Sequence, residues 1–161
     1  MLVELSFIAL LQPIVFMSSF SSNYLTIHYS TEQNLLVARW QRSVMPFEMH
    51  RGYGALLDEA AAQDCRFWLV DTRRRTSVDA ADVHWMLDEF YPKLHPRLGR
   101  TTFLAFLMAP NQLAGILADA SVPALNVLDG RPYVIQRFTE EANALTWLQQ
   151  MQEHETLVER K

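Results

Sequence analysis

The sequence predicts an α/β fold: a single mixed, mostly parallel five-stranded sheet with four helices, laid out as one strand followed by four strand-helix units. Three observations predict it. Phe67-Trp68-Leu69-Val70 is a short, unbroken apolar run ending in Asp71, as expected of a strand covered on both faces. Two strand-like segments, 24–29 and 35–40, flank the turn chemistry of Ser30 to Asn34 and should pair as a hairpin. Beyond them, apolar runs alternate with helix-period segments, which implies parallel strands joined by right-handed crossovers.

Taken in order, residues 1–20 form a strongly apolar N-terminal extension. It lacks a basic n-region, because no Lys or Arg occurs before Arg39, and Pro13 interrupts it short of the ~18 residues a membrane span requires. Three readings stand open: a start assigned upstream of a true Met17, a segment packed on the domain, or an atypical targeting segment. The domain proper is expected over 21–153. After the hairpin, Pro46 opens a helix whose face is Tyr53, Leu56, Leu57, Ala60 and Ala61. The central strand follows at 66–71. The next helix should start near Val78, with Ser77 as its cap and Asp79 in its first turn. Val83, Met86, Leu87, Phe90 and Leu94 form its stripe, Pro92 ends or kinks it, and Gly99 marks the turn out.

Strand 101–108 stops at Pro110. A short helix carries Leu113, Ile116 and Leu117, and 122–130 reads as loop. The last strand is 133–138. Thr139 is placed to cap the last helix, with Glu140 and Glu141 in its first turn and Leu145, Trp147, Leu148 and Met151 on its apolar face. The polar tail, 154–161, is expected to fray.

Composition removes several classes. The chain has 161 residues, 14 basic and 18 acidic, so its net charge of -4 argues against general nucleic-acid binding. Cys65 is the single cysteine, which rules out an internal disulfide and makes a reducing, cytoplasmic setting the expectation. No His-x-His or His-x-x-x-His pair is present, so no metal site is expected. Neither glycine-rich phosphate loop nor Gly-x-Ser-x-Gly elbow occurs. No cofactor is expected.

The order of elements resembles the SpoIIAA-like, or STAS-like, fold. The residues carrying the resemblance are Trp40 at the end of the second strand and Trp68-Leu69-Val70-Asp71 followed by Asp82-x-x-Trp85 and Pro92. Phe138-Thr139-Glu140-Glu141-Ala142, then Trp147-Leu148, complete it. Over roughly Tyr24 to Met151 the chain looks like the small bacterial SpoIIAA-like proteins of unassigned function. Better-known relatives are anti-sigma-factor antagonists, whose switch is a phosphorylatable Ser in an Asp-Ser-x-Gly turn. The matching turn here, Asp71 to Ser77, is longer and lacks that motif. The architecture is shared with lipid-carrying CRAL-TRIO domains, so fold alone does not fix function.

Two candidate sites follow. Asp71, Thr72, Arg73, Arg74, Arg75 and Ser77 lie where open α/β sheets place their ligand crevices, and guanidinium forks beside a helix N-terminus suit an anion. The competing expectation is a solvated loop whose arginines pair with Asp71, Asp79 and Asp82. Trp40, Phe47 and Trp85 are candidates for an interaction surface or an apolar pocket. The resulting expectation is a non-enzymatic regulatory or protein-interaction module, partnered by another protein or by a second copy in a dimer. The alternative is a carrier or sensor for a small apolar or anionic ligand, and a third is a small enzyme using Asp71 with the Arg73–Arg75 loop. Neither nucleic acid nor a membrane span belongs to this expectation.

Overall fold

The computed structural model describes residue 20, residues 22–76 and residues 78–160. The N-terminal extension up to residue 19, including Met17, and the cap candidate Ser77 lie outside the described residues.

Five strands form one sheet in sequence order: β1 (Leu25–Ser30), β2 (Leu35–Trp40), β3 (Phe67–Asp71), β4 (Thr102–Leu107) and β5 (Tyr133–Phe138). β1 and β2 are antiparallel, and every later pair is parallel. The expected hairpin edge and parallel body are therefore both present. Alternation sorts the side chains of each strand to opposite faces. Trp68 and Val70 join one cluster with Leu36, Ala38 and Trp40, while Phe67 and Leu69 join the other with Phe103 and Leu107. Because both faces are covered, every residue of β3 is buried.

Helix α1 (Pro46–Gln63) packs on the larger cluster through Met49, Tyr53, Leu56, Leu57 and Ala60. Its start is fixed locally. Pro46 occupies the first turn, and Glu48 reaches back to accept from the Met45 backbone N–H at 2.9 Å. Gly52 lets the helix lie against the sheet. A Cβ there would stand 2.5 Å from Trp40 Cη2.

The second helical stretch changes geometry as it goes: α2 (Ala80–Trp85), a π-turn (Met86–Phe90), a 3-10 turn (Tyr91–Lys93) and α3 (Leu94–Leu98). Pro92 has no N–H for the regular ladder, and the irregular turns absorb the loss. The Tyr91 N–H bonds Met86 O. This turns two adjacent residues inward, so both Phe90 and Tyr91 are buried. The stretch starts two residues later than Val78. Asp79, expected inside the first turn, is itself the cap and accepts from the Asp82 N–H at 3.1 Å. Gly99 leaves the stretch with φ 78°, the left-handed conformation that favours glycine.

α4 (Pro110–Ala118) repeats the device of α1, with Gln112 accepting from the Ala109 N–H at 2.8 Å. The expected loop 122–130 contains one 3-10 turn (Leu125–Leu128). α5 (Glu141–Glu159) covers the opposite face with Ala144 and Leu148. Glu140 rather than Thr139 holds its cap position, and no side chain bonds there. The helix continues six residues beyond Glu153, where fraying was expected. Glu155 and Glu159 both lie 3.6 Å from the buried Arg66, and Glu159 also pairs with Arg100.

Candidate functional site

The carboxyl edge of the sheet holds the basic loop, and period-2 alternation splits it. Asp71 ends β3 on the α5 face, and Thr72 turns to the other. Thr72 is pinned to the neighbouring strand, its N–H and its hydroxyl both donating to Leu107 O at 2.9 and 3.1 Å. The Arg75 N–H closes the turn on Thr72 O at 3.1 Å. Buried Gln112 then clasps the loop from α4, donating to Thr72 O at 3.0 Å and to Arg75 O. The three arginines leave this turn in three directions.

Arg73 folds back on Asp71. Its Nε meets Oδ1 at 3.0 Å and its Nη2 meets Oδ2 at 2.9 Å, while its backbone N–H also donates to Oδ1 at 3.1 Å. Arg39 on β2 donates to Asp71 Oδ2 at 2.9 Å and to Glu141 Oε1 at 2.6 Å. Two arginines and two carboxylates thus form one network beside the start of α5. Burial pushes the Asp71 carboxyl up. Hydrogen bonds from the Arg73 side chain and backbone and from Arg39 outweigh it and hold the group below the usual carboxylate value. Arg74 points to solvent and rests on Gln41 at 2.5 Å. Arg39, Arg73 and Arg74 line one open depression with Asp71 and Glu141, and of the loop arginines only Arg75 lies outside it.

Arg75 goes the other way. It is 5% exposed, bonds Asp82 Oδ2 at 2.6 Å and lies 5.5 Å from the ring centre of Trp40. Its Nε has no partner among the described residues. It lines a cavity of about 50 Å3 between α2, α4 and the ends of β4 and β5. Arg137 enters the same cavity from β5, two residues beyond the inward-facing Ile135. No acidic side chain pairs with it among the described residues, and burial pulls its guanidinium below the usual value. Tyr53 and Tyr91 also reach the cavity, and burial raises both phenols, Tyr53 to about 12, so each is a neutral donor. The walls are otherwise apolar, including Met86, Met108 and Ile116.

The expected anion site is therefore redistributed. Asp71, Arg73 and Arg74 line the depression on one face, Thr72 and Arg75 line the cavity on the other, and Ser77 lies outside the described residues. The helix N-terminus beside the loop is already occupied by the Asp79 side chain. Trp40, Phe47 and Trp85 do not share a surface. Trp40 is 1% exposed, packed by Tyr24 and Tyr53. Phe47 is 68% exposed, and Trp85 stacks on His50 at 4.1 Å. Trp40 is a core residue because the inward face of β2 carries it onto α1. Sequence reading missed Arg137, taking 133–138 only as a strand. The signal was alternation: Tyr133, Ile135 and Arg137 share a face, and two of the three are apolar and buried. Cys65 is fully buried, its thiol pushed up to about 11 by burial, and is placed for packing. Among the described residues no cluster of His, Cys, Asp and Glu is arranged to hold a metal, and no helix is long and apolar enough to cross a membrane.

No protein-family model matches the chain, and no curated protein matches it. A crystal structure of an uncharacterized protein from Shewanella loihica PV-4, of the DUF3478 family with a SpoIIAA-like fold, is similar. The identity is 17%, the match covers 83% of this chain and 99% of that one, and the TM-score is 0.46.

Proposed function

We propose that this protein is a non-enzymatic carrier or sensor whose small ligand occupies the cavity at the carboxyl edge of the sheet. The observation that supports it most is Arg75, a buried guanidinium that lines a mostly apolar cavity and whose Nε has no partner among the described residues. Burying a charge with unmet donors costs roughly 1–3 kcal/mol for each missing charged hydrogen bond. A ligand that supplies an acceptor removes that cost, so binding and stability are linked. The enzymatic alternative has less support, because both Asp71 oxygens already accept from arginines and the group is held ionised.

A regulatory or protein-interaction role is the second reading. Met45 and Phe47, exposed together where the chain enters α1, favour it. Native mass spectrometry of the purified full chain separates the two. A retained small molecule on a monomer supports the carrier or sensor. A ligand-free dimer, dispersed by Phe47→Ser, supports the interaction module instead.

A further inference from the structure

Resting on the reading of this cavity as a binding site, we propose that it takes a short-chain monocarboxylate, its carboxylate on Arg75 and Arg137 and its alkyl chain against Met86, Ile116 and Ile135.

Size decides first. A void of about 50 Å3 is a third of the ~150 Å3 that holds a benzene ring, and far below the ~300–1,000 Å3 of a drug-sized or nucleotide pocket. A nucleotide or a long acyl chain does not fit. The void is also smaller than propionate fills, so an acid of about two to four carbons has its carboxylate inside and its last carbons in the open mouth.

Charge decides next. The charged side chains lining the cavity are Arg75, Arg137 and Asp82. Arg75 shares its charge with Asp82 at 2.6 Å, which leaves one positive charge without a counterpart. That balance suits a monoanion. A phosphate dianion would exceed it and would set a second charge among methionines and isoleucines. Hydrogen-bond chemistry points the same way. A guanidinium presents paired N–H donors that match the two oxygens of a carboxylate; the Arg75 Nε has no partner, and Arg137 makes no ion pair, among the described residues. The neutral Tyr53 and Tyr91 hydroxyls are further donors at the wall.

The loop geometry holds Arg75 ready before any ligand arrives. Gln112 and Leu107 fix the turn on which Arg75 stands, so little ordering remains for a ligand to drive.

Isothermal titration calorimetry of the full chain tests this with sodium propionate at constant ionic strength. The comparison probes are propionamide, inorganic phosphate and octanoate. Saturable propionate binding, weakened roughly tenfold or more by Arg137→Gln and absent for propionamide and phosphate, is the expected result. Arg137 makes no ion pair among the described residues, so R137Q should fold as wild type does, checked by circular dichroism. Equal propionate affinity in wild type and R137Q overturns the proposal. So does tighter binding of phosphate or octanoate than of propionate. Saturable propionamide binding with no propionate binding overturns the monocarboxylate and leaves the cavity as a ligand site. No binding of any probe, with no small molecule retained in native mass spectrometry, overturns both.

Discussion

Two arginine-rich clusters share the carboxyl edge of the sheet, one on each face, and they are paired differently. On the α5 face Arg39 and Arg73 pair with Asp71 and Glu141, and Arg74, which lines the same depression, rests on uncharged Gln41. On the opposite face Arg75 pairs with Asp82, and Arg137 lines the same cavity with no acidic partner among the described residues. The first cluster is open to solvent at its arginines, which are 37% and 43% exposed, and yet its hydrogen bonds are closed. The second is buried at Arg75 and partly buried at Arg137, and the Arg75 Nε has no partner among the described residues. Solvent can satisfy a surface guanidinium, whereas a buried one depends on what the protein or a ligand provides. The accessible cluster is largely paired within the chain, and the buried one is where we propose the ligand.

The two clusters differ most at their acids. Asp82→Ala leaves Arg75 buried with its charge uncompensated, a loss worth about 3 kcal/mol. Urea denaturation at pH 7 should show this as a lower midpoint at unchanged slope. Asp71→Asn should cost less, about 2 kcal/mol, because Arg39 keeps Glu141 and both arginines can turn to water. An Asp71 effect larger than the Asp82 effect would reverse the assignment of the two clusters.

Asp71 also makes its cluster sensitive to pH. Its folded pKa is lowered, so its contribution is fully present above the unfolded value of about 3.9 and is lost as pH falls through the folded one. The stability gap between wild type and Asp71→Asn should close as the pH is taken from 5 towards 2, read as the difference in Tm. A gap constant across that window would mean that the carboxylate's ionisation contributes nothing. At the next smaller scale, Arg73→Gln removes a paired but half-exposed contact to Asp71 and should cost about 1 kcal/mol.

Much of this was legible in the sequence, and what was not has physical causes. The apolar run at 67–70, the hairpin and the prolines at 46 and 110 are local signals, and the sheet follows them. Pro92 announced an irregular helix, but the inward turn of Tyr91 depends on which carbonyls the π-turn reaches. The loop Arg73-Arg74-Arg75 reads as one basic patch on paper. In space the turn after β3 folds Arg73 back onto Asp71 on one face and carries Arg75 to the other, and the clasp from Gln112, 37 residues from Arg75, fixes that choice. No local pattern carries a contact of that range. Arg137 was visible as a charged residue at a buried-face position, while its lack of a partner is a tertiary fact.

The smallest expected effect is the most informative about the second cluster. Arg137→Gln should change stability by no more than about 0.5 kcal/mol. The wild-type side chain is half-buried on the edge strand β5 and gains nothing from an ion pair among the described residues. Burial already works against its charge. Glutamine keeps most of the stem, retains a donor and removes the charge that the cavity leaves uncompensated. A paired arginine in the same fold, Arg73, should behave in the opposite way, so the two substitutions are each other's control under one set of conditions. If both cost the same, Arg137 has found an acceptor in solution, and its charge is spent on the fold. If Arg137→Gln is neutral or stabilising while Arg73→Gln is not, the surplus charge beside Arg75 is retained at no benefit to folding. An anion drawn from outside the chain is then its remaining use.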